Sequence, residues 1–151
     1  MDWNVYLRLS GMMFMEFAVW GAWMPVLAIR LLGPLKMNGK QTGWIYATLP
    51  LACIISPLIA GQLADKWLNT EWILISAHLL GGILLFVAAK QKKFWPLFCV
   101  MFLYSVCFSA TLPLVNAVLF THAEAADISP TWVFIWAPIS WALIGYFLTG
   151  F

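Results

Sequence analysis

The sequence predicts an all-α, polytopic membrane helix bundle, and three observations carry that expectation. Hydrophobic residues make up 64% of the chain and charged residues 9%, whereas a soluble domain is about 45–50% apolar and about 25% charged. The apolar residues fall in five long blocks rather than at the spacing of a helix with one wet face. Each block is close to the ~20 residues that cross ~30 Å of hydrocarbon, where the backbone must satisfy its own hydrogen bonds. The lipid bilayer is thus the first partner. A net charge of +2 with scattered basic residues leaves no basic, aromatic-interleaved patch and excludes nucleic acid as a partner.

The expected helices are about 9–32, 43–63, 72–89, 94–120 and 131–151. The first outlasts the 7–15-residue apolar region of a secretory signal, contains Glu16 and lacks an A-x-A cleavage pattern, so it belongs to the mature protein. The turn residues Gly33-Pro34 and Asn38-Gly39 lead into the second. Lys90, Lys92 and Lys93 close the third, and the short link to the fourth predicts an antiparallel hairpin. A polar stretch, His122 to Pro130, precedes the fifth and is expected to be a solvated loop. The fifth block stops with the chain and has no charged or interfacial flank, which reads as a sequence cut short.

Small residues at helix crossings let membrane helices approach closely, and Thr48, Ala52, Ser56 and Ala60 recur every four positions. That face is expected against a neighbouring helix. Pro25, Pro50, Pro57, Pro113 and Pro138 lie inside blocks, where each removes a backbone hydrogen bond and favours a bend. Such bends suit a cavity-lining protein, although proline is common in membrane helices generally. Cys53, Cys99 and Cys107 sit inside apolar blocks without C-x-x-C spacing. They are expected to be small buried apolar residues rather than metal or redox groups.

Glu16 is the most informative residue, lying seven positions inside the first block. A charge at the centre of a membrane helix costs about 2.5–3.5 kcal/mol on insertion scales, so the carboxyl is expected to face protein and to couple protons. A structural hydrogen bond to another helix is the plainer alternative. Trp20 and Trp23 follow at i+4 and i+7, placing two indoles on the face of the carboxyl. A flat ligand with polar edges could stack there. In the fourth block Ser105, Ser109 and Asn116 form a polar seam that faces protein or water, and Asn116 either binds solute or joins two helices. His78, beside Gly81 and Gly82, is expected to be a satisfied interior group.

Enzyme signatures are missing. His122-Ala123-Glu124 is not H-E-x-x-H, and neither G-x-S-x-G nor G-x-x-x-x-G-K-[ST] occurs. The chain is therefore expected to be no enzyme, and to use no metal or other cofactor.

Gly61-Gln62-Leu63-Ala64-Asp65-Lys66, at the end of the second block, resembles the G-x-L-A-D-[RK] signature of the major facilitator superfamily. The continuation Ala64-Asp65-Lys66-Trp67-Leu68 is similar to that superfamily's nucleoside:proton symporter branch. Phe17-Ala18-Val19-Trp20-Gly21-Ala22-Trp23, His78-Leu79-Leu80-Gly81 and Pro113-Leu114-Val115-Asn116 agree with the branch in order and spacing. The resemblance implies that residues 1–151 are the first five helices of an amino-terminal half, a partial transmembrane domain. It also implies alternating access around a central site, proton-driven uptake of nucleosides or a related small polar solute, and partner helices from the missing carboxy-terminal part. The implied location is the cytoplasmic membrane.

The fifth helix departs from the branch. Where the branch resembles Arg-x-Trp-Gly-Thr-x-Gly and an aromatic, this chain has Phe134, Trp136, Ala137, Pro138, Ser140 and Trp141. Only Trp136 and Trp141 carry over. The residues themselves thus point to Glu16 for proton coupling and to Trp20, Trp23, Ser109 and Asn116 for solute binding, and the resemblance adds Trp136 and Trp141 to the solute site. Gly61, Asp65 and Lys66 are implied as a gating motif whose helix-end charges hold one conformation closed. A sugar or other metabolite carrier of the same fold, or a non-transporting five-helix assembly or receptor, are the alternatives.

Alternating crossings put Arg8 and Lys66 on one side and Arg30, Lys36, Lys40, Lys90, Lys92 and Lys93 on the other. Counted alone, these charges place the amino terminus outside. The resemblance places it in the cytoplasm, and the expectation follows the resemblance.

Overall fold

The computed structural model describes residues 2–66 and 69–150, apart from the side chain of Asp65; Trp67 and Leu68 lie outside the described residues. The described elements are helical: α1 (Trp3–Leu32), α2 (Gly39–Lys66), α3 (Thr70–Lys90), α4 (Phe94–Ala125), α5 (Pro130–Phe134) and α6 (Trp136–Thr149). Among the described residues, five segments are long and apolar enough to cross a membrane, α5 and α6 together forming the fifth.

Local hydrogen bonding carries helices beyond the apolar blocks. Asp2 Oδ1 accepts the backbone N–H groups of Asn4 at 2.9 Å and Val5 at 3.4 Å, so α1 starts six residues ahead of its apolar run. Asn38 and Gln41 form a reciprocal capping box: each side-chain oxygen accepts the other's backbone N–H, at 2.9 and 3.1 Å. This pair starts α2 at Gly39. At its far end α4 runs through His122 and Glu124, which are exposed helical residues and not the loop the polar sequence suggested. It stops where Asp127 takes φ 53°, with Ile128 N–H bonding Ala123 O at 2.9 Å and Asp127 N–H bonding Glu124 O at 3.2 Å. Those two bonds are a Schellman motif, sealed by the buried pair Ala123 and Ile128.

The internal prolines do not act alike. Helices continue through Pro25, Pro50, Pro57 and Pro113. Only the fifth span is interrupted, at Ile135. Pro138 lacks the N–H that would bond the carbonyl of Phe134, the residue at which α5 ends.

The chain forms two compact units, Met1–Leu31 with Val115–Phe151, and Leu32–Leu114. In the second unit the small-residue face of α2 is buried at Thr48, Ala52, Ser56 and Ala60. Thr48 Oγ1 donates to Ile45 O at 2.7 Å and so accepts from Ser105 Oγ of α4, 3.0 Å away. Ser56 Oγ donates to Val106 O at 2.5 Å. Gly81 of α3 packs under the ring of Tyr104, and Ala60, Ile73 and Leu114 close a three-helix core. Outward positions such as Ile54, Leu58 and Phe86 are exposed, a surface that water would penalise and lipid does not.

One expectation is corrected. Cys53 and Cys99 are exposed and Cys107 is half-buried, so these thiols are not packed in a protein core. A cysteine's small apolar character suits a lipid-facing position equally well.

Candidate functional site

The packed face of α1 advances in steps of three or four residues: Leu9, Met13, Glu16, Trp20, Trp23, Leu27 and Leu31. Met13 and Leu31 have no exposed surface, and Glu16, on the same face, is 3% exposed. Its chain neighbour Met15, turned about 100° away around the helix, is 65% exposed. Because α1 starts at Trp3, Glu16 lies about 20 Å from one end of the helix and about 24 Å from the other. The carboxyl is therefore deeper than the apolar block alone implied.

Aromatic rings flank this position. The rings of Phe17 and Trp20 are 6.0 Å apart, and Trp20 meets Trp141 of α6 edge to face at 6.3 Å and 66°. A close backbone crossing holds the second ring in place. A Cβ on Gly21 would lie 2.5 Å from Trp141 O and 2.9 Å from its Cα, so only glycine fits there. One turn further along, Gly145 faces Pro25 and Gly21 O at ordinary contact distance. Trp23 is half-buried on the same face of α1.

Trp136 has a different setting. Its indole Nε1–H donates to Tyr6 Oη at 3.1 Å, and the Tyr6 hydroxyl donates to Trp132 O at 3.4 Å. Tyr6 precedes Glu16 by ten positions, about 15 Å along α1. Trp136 thus ties α6 and α5 to the start of α1, while Trp20 and Trp141 gather one turn from Glu16. Neither Tyr6 nor Gly21 stood out in the sequence reading, because each acts through a partner more than a hundred residues away.

Asn116 is half-buried in the same unit. Ser109 belongs to the other unit, has no exposed surface and turns its hydroxyl back to Val106 O at 3.4 Å. Of the residues expected to form a gate, Gly61 has open space where a Cβ would stand, and Lys66 is exposed in the last turn of α2, where a cation complements the helix dipole. The Asp65 side chain lies outside the described residues. His78 is half-buried and donates Nδ1–H to Leu74 O at 2.9 Å. Among the described residues no three His, Cys, Asp or Glu side chains cluster as metal ligands do. Among the described residues, the arrangement places a buried carboxyl on the helix face that carries Trp20, one turn before its edge-to-face contact with Trp141.

Comparison with known proteins agrees in extent and kind. The family model described as Nucleoside H+ symporter matches residues 3–150. Nucleoside permease NupG of Escherichia coli is 31% identical over 146 residues, covering 96% of this chain and 34% of the permease. The xanthosine permease of the same organism is 31% identical over 131 residues, 87% of this chain and 31% of that protein. The crystal structure of a mutant of the nucleoside transporter NupG superposes with a TM-score of 0.90 at 29% identity, over 98% of this chain and 38% of that one. The chain spans about a third of the length of these relatives.

Proposed function

The chain belongs to the nucleoside H+ symporter family, whose members are membrane transporters and not enzymes, and on that premise we propose that it serves proton-coupled nucleoside uptake by alternating access. The observation that carries this reading is Glu16, buried at mid-helix on the face shared with Trp20 and Trp23. A carboxyl there can take a proton from one side and release it to the other as alternating access turns it from one face of the membrane to the other. Trp20 and Trp141, with Trp23, supply stacking surface for a nucleobase, and Asn116 supplies an amide for its edge. Trp136 acts through Tyr6 to set the angle of the fifth span. Gly61, Asp65 and Lys66 form the gate at the end of α2. The setting is the cytoplasmic membrane, with the amino terminus inside.

The test is uptake of labelled nucleoside by cells expressing the intact protein at external pH 5.5 and 7.5. Uptake is faster at the lower pH, and Glu16→Gln abolishes the difference. A Glu16→Gln variant that stays pH-dependent overturns the role of this carboxyl. Phe134 and Pro138, standing where the branch resembles Arg and Thr, together with Trp20 and Trp23, which can stack on a sugar ring, favour one second reading: a sugar or other metabolite as the solute. Competition of the labelled uptake by unlabelled sugars, with no competition by nucleosides, would select it.

A further inference from the structure

A second binding feature lies in the Leu32–Leu114 unit, away from Glu16 in the sequence and independent of it. Lys40, Gln41 and Trp44 of α2 and Phe94, Trp95 and Phe98 of α4 line a cavity of about 350 Å³, in the size range of small-ligand sites. The α4 rings pack on one another, with Phe94 to Trp95 at 5.2 Å and Trp95 to Phe98 at 6.2 Å, nearly perpendicular. The cavity stands where both helices begin, so the loops that feed them, 33–38 and 91–93, share this end. Those loops and the adjoining helix ends carry Lys36, Lys40, Lys90, Lys92 and Lys93, all exposed. Residues 33–43 and 88–98 contain no Asp or Glu.

Scattered interfacial lysines and tryptophans anchor many spans without binding anything in particular. Here Lys40, Trp44 and Trp95 line a concavity, with four further lysines in the loops and helix ends at the same end, and its composition selects an occupant. A soluble anion would use the lysines and leave four aromatic rings idle. A quaternary ammonium would suit the rings, but the lysines repel it. A molecule with an anionic head and an apolar body uses both, and Trp95, 70% exposed at the start of an apolar span, leaves one wall of the cavity open. We infer that the cavity between the starts of α2 and α4 binds an anionic phospholipid, its phosphate at Lys40 and the neighbouring lysines and its glycerol and upper acyl chain on Trp44, Trp95 and Phe98. The inference requires that the spans cross a bilayer and does not depend on what is transported.

Native mass spectrometry of the intact protein, released from detergent with phosphatidylglycerol and phosphatidylcholine in equal amounts, tests it. Phosphatidylglycerol is retained at least tenfold over phosphatidylcholine. The triple variant Lys40→Gln, Lys92→Gln, Lys93→Gln lowers that preference at least fivefold, Trp95→Ala lowers retention of phosphatidylglycerol, and Lys40→Arg keeps it. Equal retention of the two lipids by the unaltered protein overturns the proposal without reference to any variant. So does an unchanged preference in the triple variant, or displacement of the lipid by glycerol phosphate at equal concentration, which would make the site one for a soluble anion.

Discussion

At the scale of single residues, the account turns on a carboxyl and a glycine. Glu16 is kept from lipid because it continues the Leu9–Met13 face, and that register was legible from spacing alone, as were Trp20 and Trp23. Gly21 is different in kind. Its requirement comes from the backbone of Trp141 pressing on it, and backbone on both sides has little room to yield. Gly21→Ala is expected to lower stability by about 1–3 kcal/mol, read as a drop in thermal unfolding temperature in detergent. Gly61→Ala meets open space in the helix interior and is neutral or stabilising by up to about 1 kcal/mol. The need for glycine at position 21 is not legible in the sequence, since a one-dimensional pattern does not contain a crossing partner 120 positions away.

At the scale of elements, the hydrogen bond between Thr48 and Ser105 shows how α2 and α4 hold together without a hydrophobic drive between them. A double-mutant cycle with Thr48→Val and Ser105→Ala should return a coupling of about 0.6 kcal/mol, and no more than about 1.7. Zero coupling would mean that shape alone sets this contact. The every-fourth-residue stripe made that interface readable beforehand. Helix ends were less readable, although Asp2, the Asn38 and Gln41 pair and Asp127 all carried capping signals. Apolar blocks mark where lipid must be, whereas caps decide where hydrogen bonding stops, and the two differ by up to six residues at α1. The break at Ile135 follows from Pro138, yet four other prolines leave their helices continuous. Proline removes one backbone bond in each helix, so the missing bond by itself does not end a helix.

At the scale of the whole chain, the fold is all-α and matches the NupG transporter structure across 98% of its length. The spans and the family were readable because long apolar blocks and the Gly61–Lys66 motif are local signals. Solute choice was not, since the fifth span departs from the family pattern at Phe134 and Pro138. Orientation is where charge and family disagree, and we expect family to prevail. With Cys53, Cys99 and Cys107 replaced by alanine, a cysteine at exposed Lys92 should react with an impermeant maleimide in intact cells, and one at exposed Asn4 only after permeabilisation. The reverse pattern would place the amino terminus outside. The central claim is that Glu16 carries the proton that moves with the solute. It is tested most directly by reconstituting the intact protein in vesicles with a trapped pH dye and adding an inward nucleoside gradient. The account predicts that nucleoside entry acidifies the lumen and that Glu16→Gln abolishes acidification while nucleoside still binds; acidification that persists in Glu16→Gln would contradict it.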